Sequence, residues 1–149
     1  MARWLAVLCG IVLLAGCATT QEKQVSDAPK SVEKTSAART LPQTFGAGPV
    51  RVVVKVKPAG GTAGIIVTET LPAGWTMLKA TPPFDKQDGN SYKWLKMDIV
   101  GRNIAPFEIA YEAMPPEKAQ GEQKFEGTVH TRQDGIQVTG GDCVISPGR

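Results

Sequence analysis

From Pro49 onward the chain alternates. In VRVVVKVK, Val50, Val52, Val54 and Val56 fall on one face of an extended segment and Arg51, Val53, Lys55 and Lys57 on the other, the period of two expected of a half-buried strand. PAGGT makes a turn, and AGIIVTETL is a second strand in which Ile65 with Val67 and Ile66 with Thr68 serve equally well as the inward pair. Pro72-Ala73-Gly74 breaks it, and WTMLKA follows as a third strand. TPPFDKQDGNS reads as a Pro-bounded polar loop, and YKWLKMDIV resumes the alternation with Tyr92 and Trp94 on one face. FEIAYEA sets Phe107, Ile109 and Tyr111 against Glu108, Ala110 and Glu112, and KFEGTVHT places Phe125 and Val129 inward. RQDGIQV carries an Asp-Gly pair between two strand-like runs, a hairpin signal, and GGDCVISP closes the domain.

Nothing after residue 16 offers apolar residues at i, i+3, i+4 and i+7 over three turns. Seven or eight short strands about ten residues apart, divided by Gly and Pro turns, predict an all-β fold: an antiparallel immunoglobulin-like β-sandwich over residues 49–149. A small closed barrel is the structural alternative. The strand at 50–57 is expected at an edge, where outward Arg51, Lys55 and Lys57 would discourage pairing with another chain.

The pattern before Pro49 is different. Arg3 is followed by an apolar run from Trp4 to Ala15, too short for the ~20 residues of a membrane-spanning helix, and residues 1–16 read as a secretory signal. The run ends in Leu14-Ala15-Gly16-Cys17, which resembles the lipobox of bacterial lipoproteins. That resemblance implies that the Cys17 thiol carries a diacylglycerol, that the chain is cut before it, and that the new amino group is acylated as well. Several acyl chains turn marginal membrane affinity into stable attachment. Ala18, standing where inner-membrane lipoproteins carry Asp, implies the outer membrane of a Gram-negative cell. Residues 17–48, rich in Ala, Thr, Ser, Lys and Glu with Phe45 the lone aromatic, are expected to be the lipidated cysteine and a flexible linker.

Removing residues 1–16 from the 149 leaves a chain of one-domain size. The formal net charge of +3 falls to about +2 without Arg3, too mild and too dispersed to argue for nucleic acid. Of three cysteines, Cys9 lies in the signal and Cys17 is the lipid site, so Cys143 has no intrachain partner. A lone cysteine in a short apolar stretch is expected to be a small buried hydrophobe; intermolecular pairing or a reactive thiol are the alternatives.

At TETLPAGWTMLKATPPF the chain resembles immunoglobulin-like modules of unknown function in bacterial surface and secreted proteins, through Glu69, Thr70, Leu71, Pro72, Gly74 and Trp75. The resemblance continues through SYKWLKMDIVGRNIAPFEIAYEA and spans roughly residues 50–145. It implies a spacer, stalk or adhesion role and no catalytic residue. Pro72 and Gly74 suit a tight turn, with Trp75 plugging the end of the core.

Chemistry is sparse. The single histidine, His130, is expected outward on its strand and cannot make a zinc site with one unpaired cysteine. No Gly-x-Ser-x-Gly elbow occurs. DKQDGN has the flavour of a calcium loop but lacks the alternate acids, with Lys96 where the closing Glu would stand, and reads as a solvated turn. Glu69, Glu108 and Glu112 read as solvated surface. Phe84, at a loop tip after Pro83, is either a contact residue or a cover folded over the core. Two functions remain: a membrane-anchored, non-enzymatic envelope lipoprotein acting as a structural or protein-interaction module with another envelope protein as partner, or a polysaccharide- or small-ligand-binding module using Phe84, Tyr92 and Trp94 as an aromatic platform. Neither requires a cofactor or a metal.

Overall fold

A computed structural model describes residues 33–148 of the chain, and Cys17, the signal and the first part of the expected linker lie outside them. Thirteen strands occur among the described residues, and no helix. In chain order they are β1 (Ser36–Thr40), β2 (Thr44–Phe45), β3 (Val50–Lys57), β4 (Gly64–Thr70), β5 (Thr76–Thr81), β6 (Lys86–Asp88) and β7 (Ser91–Met97). After these come β8 (Phe107–Met114), β9 (Gln123–Lys124), β10 (Glu126–Thr131), β11 (Gly135–Val138), β12 (Gly140–Gly141) and β13 (Val144–Pro147). They build the expected β-sandwich: one sheet in the order β12-β1-β3-β8-β5, a second in the order β11-β10-β4-β7-β6, and a short ladder β2-β13-β9. Pairing is antiparallel except for β1 with β12 and β2 with β13.

Three expectations need correcting. The strand β3 is central and not an edge, because β1 and β8 flank it. The segment taken for linker enters the fold at Thr35, where Thr35, Ala37, Arg39, Leu41 and Phe45 are all buried; its small and polar residues hide an alternation that one long apolar side chain per turn would have announced. The polar loop at 81–91 contains β6, which pairs with β7 across a two-residue turn with Gly89 at its first central position, φ 57°. In the same segment the Asp85 carboxylate accepts the Leu95 N–H at 2.7 Å, so DKQDGN serves a hairpin.

The core lies between the two large sheets. Val50, Val52, Val54, Val56, Ile109 and Tyr111 face Ile65, Val67, Tyr92, Trp94 and Val129. Trp94 stacks on Tyr111 across the gap, centroids 6.2 Å apart at 24°. One end is plugged as expected by Trp75, which meets Phe45 and Phe125 edge-on at 5.2 Å each and donates its Nε1–H to Gln123 Oε1 at 3.1 Å. Trp75 reaches that place through the Pro72–Gly74 turn, which needs the φ of 78° that Gly74 supplies.

A buried ion pair joins the sheets inside this core. Arg39 of β1 donates Nε–H and Nη2–H to the two carboxylate oxygens of Glu69 of β4, at 2.8 and 2.9 Å, and Tyr111 O–H donates to Glu69 Oε2 at 2.9 Å. The Nη1 hydrogens go to the carbonyls of Phe125 and Asp142. Glu69 is therefore not the solvated surface acid its sequence position suggests; it is fully buried, with its oxygens satisfied on both sides. Burial lowers the Arg39 pKa, but the Glu69 hydrogen bond and charge outweigh it and hold the guanidinium above its ordinary value. Burial, then the adjacent Glu69 charge, pushes the Tyr111 phenol well above its own. Gly127 makes room for the pair: a methyl group there would overlap the Glu69 carboxylate and Arg39 and come within 2.8 Å of Thr139 Oγ1.

Candidate interaction face

Phe84, Tyr92 and Trp94 do come together, with Phe84 edge-on to Tyr92 at 5.1 Å and to Trp94 at 6.5 Å. They do not form a platform. Tyr92 and Trp94 are each only 3% exposed, and Trp94 Nε1–H donates to Pro82 O at 2.9 Å. The physical reason is parity: both side chains lie on the inward face of β7, where register pairs Trp94 with Val67 and Tyr92 with Glu69. Phe84, 37% exposed, is the cover folded over this part of the core. Cys143 departs from expectation as well, since it is exposed just before β13 while Ile145 takes the buried position.

The surface that does present apolar groups is the outward face of the second sheet. Register aligns Ile136 of β11 with His130 of β10, His130 with Ile66 of β4, and Ile66 with Leu95 of β7, one row crossing four strands. Val138, opposite Thr128, and Met97, opposite Gly64, extend the row on either side. Exposure runs from 38% for Ile66 to 79% for Val138. His130 is exposed in the middle of the row, as expected of an outward strand position. The parallel row one step along the strands runs Val138, Thr128, Thr68, Lys93 and Lys86. Neither lysine forms an ion pair among the described residues. An aliphatic stripe edged by two free ammonium groups suits an apolar surface bordered by carboxylates.

The first sheet turns out a different face. Arg51 lies opposite Glu112 and Glu112 opposite Lys79, whose Nζ is 2.9 Å from the carboxylate; Lys55 lies opposite Glu108. Charges of alternating sign make two of its rows, and the row between them, Thr40, Val53, Ala110 and Thr81, is uncharged but offers only small or half-buried side chains. Among the described residues no three His, Cys, Asp or Glu side chains come together in a way that could hold a metal ion.

Sequence reasoning missed Ile66, Leu95, Ile136 and Val138 as surface residues. A signal existed in the second strand, where both parities are apolar: GIIV on a strand with only one buried face must expose one aliphatic side chain.

The chain resembles solved structures of the same architecture. A non-cellulosomal cohesin from the archaeon Archaeoglobus fulgidus superposes with a TM-score of 0.54 at 14% identity, over 78% of this chain and 93% of that one. A cohesin from scaffoldin B of Acetivibrio cellulolyticus does so with a TM-score of 0.54 at 12% identity, over 78% of this chain and all of the other. At such identities the likeness is one of fold, an all-β sandwich. No protein-family model matches the sequence, and no curated protein matches it.

Proposed function

We propose that the protein is a non-catalytic lipoprotein of the bacterial cell envelope, anchored through lipid on Cys17, most simply in the outer membrane, and that it binds another envelope protein through the outward face of its second sheet. The observation that carries the binding role is the row Ile136-His130-Ile66-Leu95, exposed aliphatic side chains on either side of one histidine, on a sheet whose counterpart sets its large outward charges opposite one another. Keeping such side chains in water forgoes burial worth about 1.5–3 kcal/mol for each that a partner would fully cover. The A. cellulolyticus cohesin was solved in complex with a dockerin, so a sandwich of this architecture carries a protein partner in that instance. The anchor rests on the basic residue, apolar run and Leu14-Ala15-Gly16-Cys17 of the sequence. The aromatic-platform reading loses its basis with Tyr92 and Trp94 buried.

Photo-crosslinkers placed singly at Leu95 and at Lys55 in intact cells test the face. We expect a discrete adduct from position 95, absent from position 55 and lost when Ile66→Asp is added. Equal adducts from both faces, or adducts from 95 indifferent to Ile66→Asp, would remove the reading. Mass spectrometry of the mature chain tests the anchor separately: it should begin at Cys17 with acyl groups attached, and the Cys17→Ala variant should not be processed.

A further inference from the structure

The chain enters the sandwich at one defined end. Thr35 N–H donates to Asp134 Oδ2 at 2.9 Å, and Thr35 Oγ1 accepts the Ala59 N–H at 3.0 Å. The same end gathers the β3–β4 turn, the β10–β11 turn and the β7–β8 loop. Asp98 N–H donates to Ala63 O at 2.8 Å, Thr62 Oγ1 donates to Gln133 Oε1 at 3.0 Å, and Gln133 Nε2 donates to Gly61 O at 3.3 Å. At the tip of the β7–β8 loop stand Ile99 and Val100, 68% and 97% exposed, the latter among the most exposed aliphatic side chains of the fold.

The loop is braced and does not let these two side chains fold inward. The Asp98 carboxylate accepts N–H groups from Gly101 at 2.8 Å and Asn103 at 3.4 Å, and Asp98 O accepts the Arg102 N–H at 3.0 Å. Arg102 closes the turn at φ 47°, a conformation that glycine takes more readily. Exposed Arg102 and Arg132 line one hollow with Ile99, and exposed Lys34 stands near Asp134 at the same end; none of the three is in an ion pair among the described residues. The acids of this end are otherwise engaged: Asp98 and Asp134 with backbone N–H groups, Glu33 with Lys57.

We propose that this end is a membrane-contact surface: Ile99 and Val100 enter the interfacial layer of a phospholipid bilayer while Lys34, Arg102 and Arg132 meet anionic headgroups. The inference rests on the Cys17 anchor proposed above. The lipid surface is the occupant because of where the anchor leads. Cys17 is sixteen residues from Glu33, a reach of at most about 55 Å whatever the conformation between them, and that segment arrives at this end and not at the one closed by Trp75, Phe45 and Phe125. Two aliphatic side chains with neighbouring cations are the combination that partitions to an anionic interface.

The test uses the full mature chain, purified with its acyl groups and reconstituted in phosphatidylethanolamine–phosphatidylglycerol vesicles with acyl-chain-brominated lipid. Val100→Trp reports the tip and Lys118→Trp the opposite end, each read over the wild-type background of buried Trp75 and Trp94. We expect quenching at position 100 to exceed that at 118 by about threefold or more, and Arg102→Gln with Arg132→Gln to reduce it in anionic vesicles but not in phosphatidylcholine alone. Equal quenching at the two positions in a chain that floats with the vesicles overturns this proposal and leaves the anchor standing. A mature chain whose mass shows no acyl group, and which does not float, overturns the anchor and this proposal with it.

Discussion

The two sheets of the sandwich turn unlike faces outward. On β3, β8 and β5 the large outward side chains include Arg51, Glu112, Lys79, Lys55 and Glu108, charges set opposite one another with only Val53 and Ala110 between their rows; on β11, β10, β4 and β7 one row holds Ile136, His130, Ile66 and Leu95. Both faces back onto the same buried core, so what lies beneath them does not account for the contrast. A solvated face is free to be charged, and charged pairs there contribute little. An aliphatic stripe on the other face has a use only when something covers it. The same strand, β4, shows the inversion in miniature: it sends Glu69 into the core and Ile66 out to water.

The strongest way to sharpen this contrast is to compare one ion pair inside with one outside. Glu69→Ala leaves the Arg39 charge buried without its partner and should cost about 3–5 kcal/mol in urea unfolding. Replacing both residues, Arg39→Met with Glu69→Leu, should recover a large part of that loss; if the double variant is no better than Glu69→Ala, the pair is not the reason for the cost. Next in size is Phe84→Ser. Because Phe84 covers Tyr92 and Trp94 edge-on, it should lower stability by about 1–2 kcal/mol and Tm by several degrees; an unchanged Tm would return Phe84 to the role of a contact residue. Smaller still is the surface pair. Lys79→Ala removes an exposed partner of Glu112 and should cost less than about 1 kcal/mol, and less again in high salt. Ile136→Asp on the opposite face should likewise change stability by only about 0.5 kcal/mol while weakening the crosslink from position 95, which separates a binding face from a structural one.

The smallest expected effect is a pH dependence at the end where the chain enters the sandwich. The Thr35 amide hydrogen bond, helped by Thr131 and Lys34, holds the Asp134 carboxyl below its ordinary range. A carboxyl lowered in the folded state stabilises the fold in its ionised form. Its contribution is complete above the ordinary aspartate range, about pH 4, and is lost as pH falls through the lower native value. The stability difference between wild type and Asp134→Ala should therefore be small but measurable at neutral pH and vanish in strong acid. A difference that grows on acidification would reverse the assignment.

Much of the fold is legible along the chain, and the parts that are not share one cause. The alternation of β3 and β8 is read directly, as is the β10–β11 turn, where Gly135 takes a φ of 69° after Asp134. For β4 the pattern leaves two parities open. What settles it is Glu69, which falls on the inward parity with Ile65 and Val67, and a hydrophobic pattern counts a carboxylate as a vote for the other side. Its partner Arg39 is thirty residues upstream, in a segment whose composition resembles a linker. The unread strand β1 and the misread Glu69 are thus the same omission, since each residue makes sense in the core only in the presence of the other. The apolar outward row of the second sheet went unseen for a related reason. Once Tyr92 and Trp94 are known to point inward, Leu95 must point outward, but aromatic side chains attract attention as ligand platforms before their neighbours do.

The position of β1 has a mechanical consequence. It is the first element of the sandwich, bound to β3 through five register pairs and to β12 through two, and crossed in its middle by the Arg39–Glu69 pair. Tension applied to the chain ahead of Thr35 loads this strand along its length. Its ladder bonds on both sides then shear together, and the guanidinium must leave its buried carboxylate in the same event. A protein held by its amino end while its flank grips a partner would thus carry load through a strand that cannot yield without losing two ladders and a buried ion pair at once.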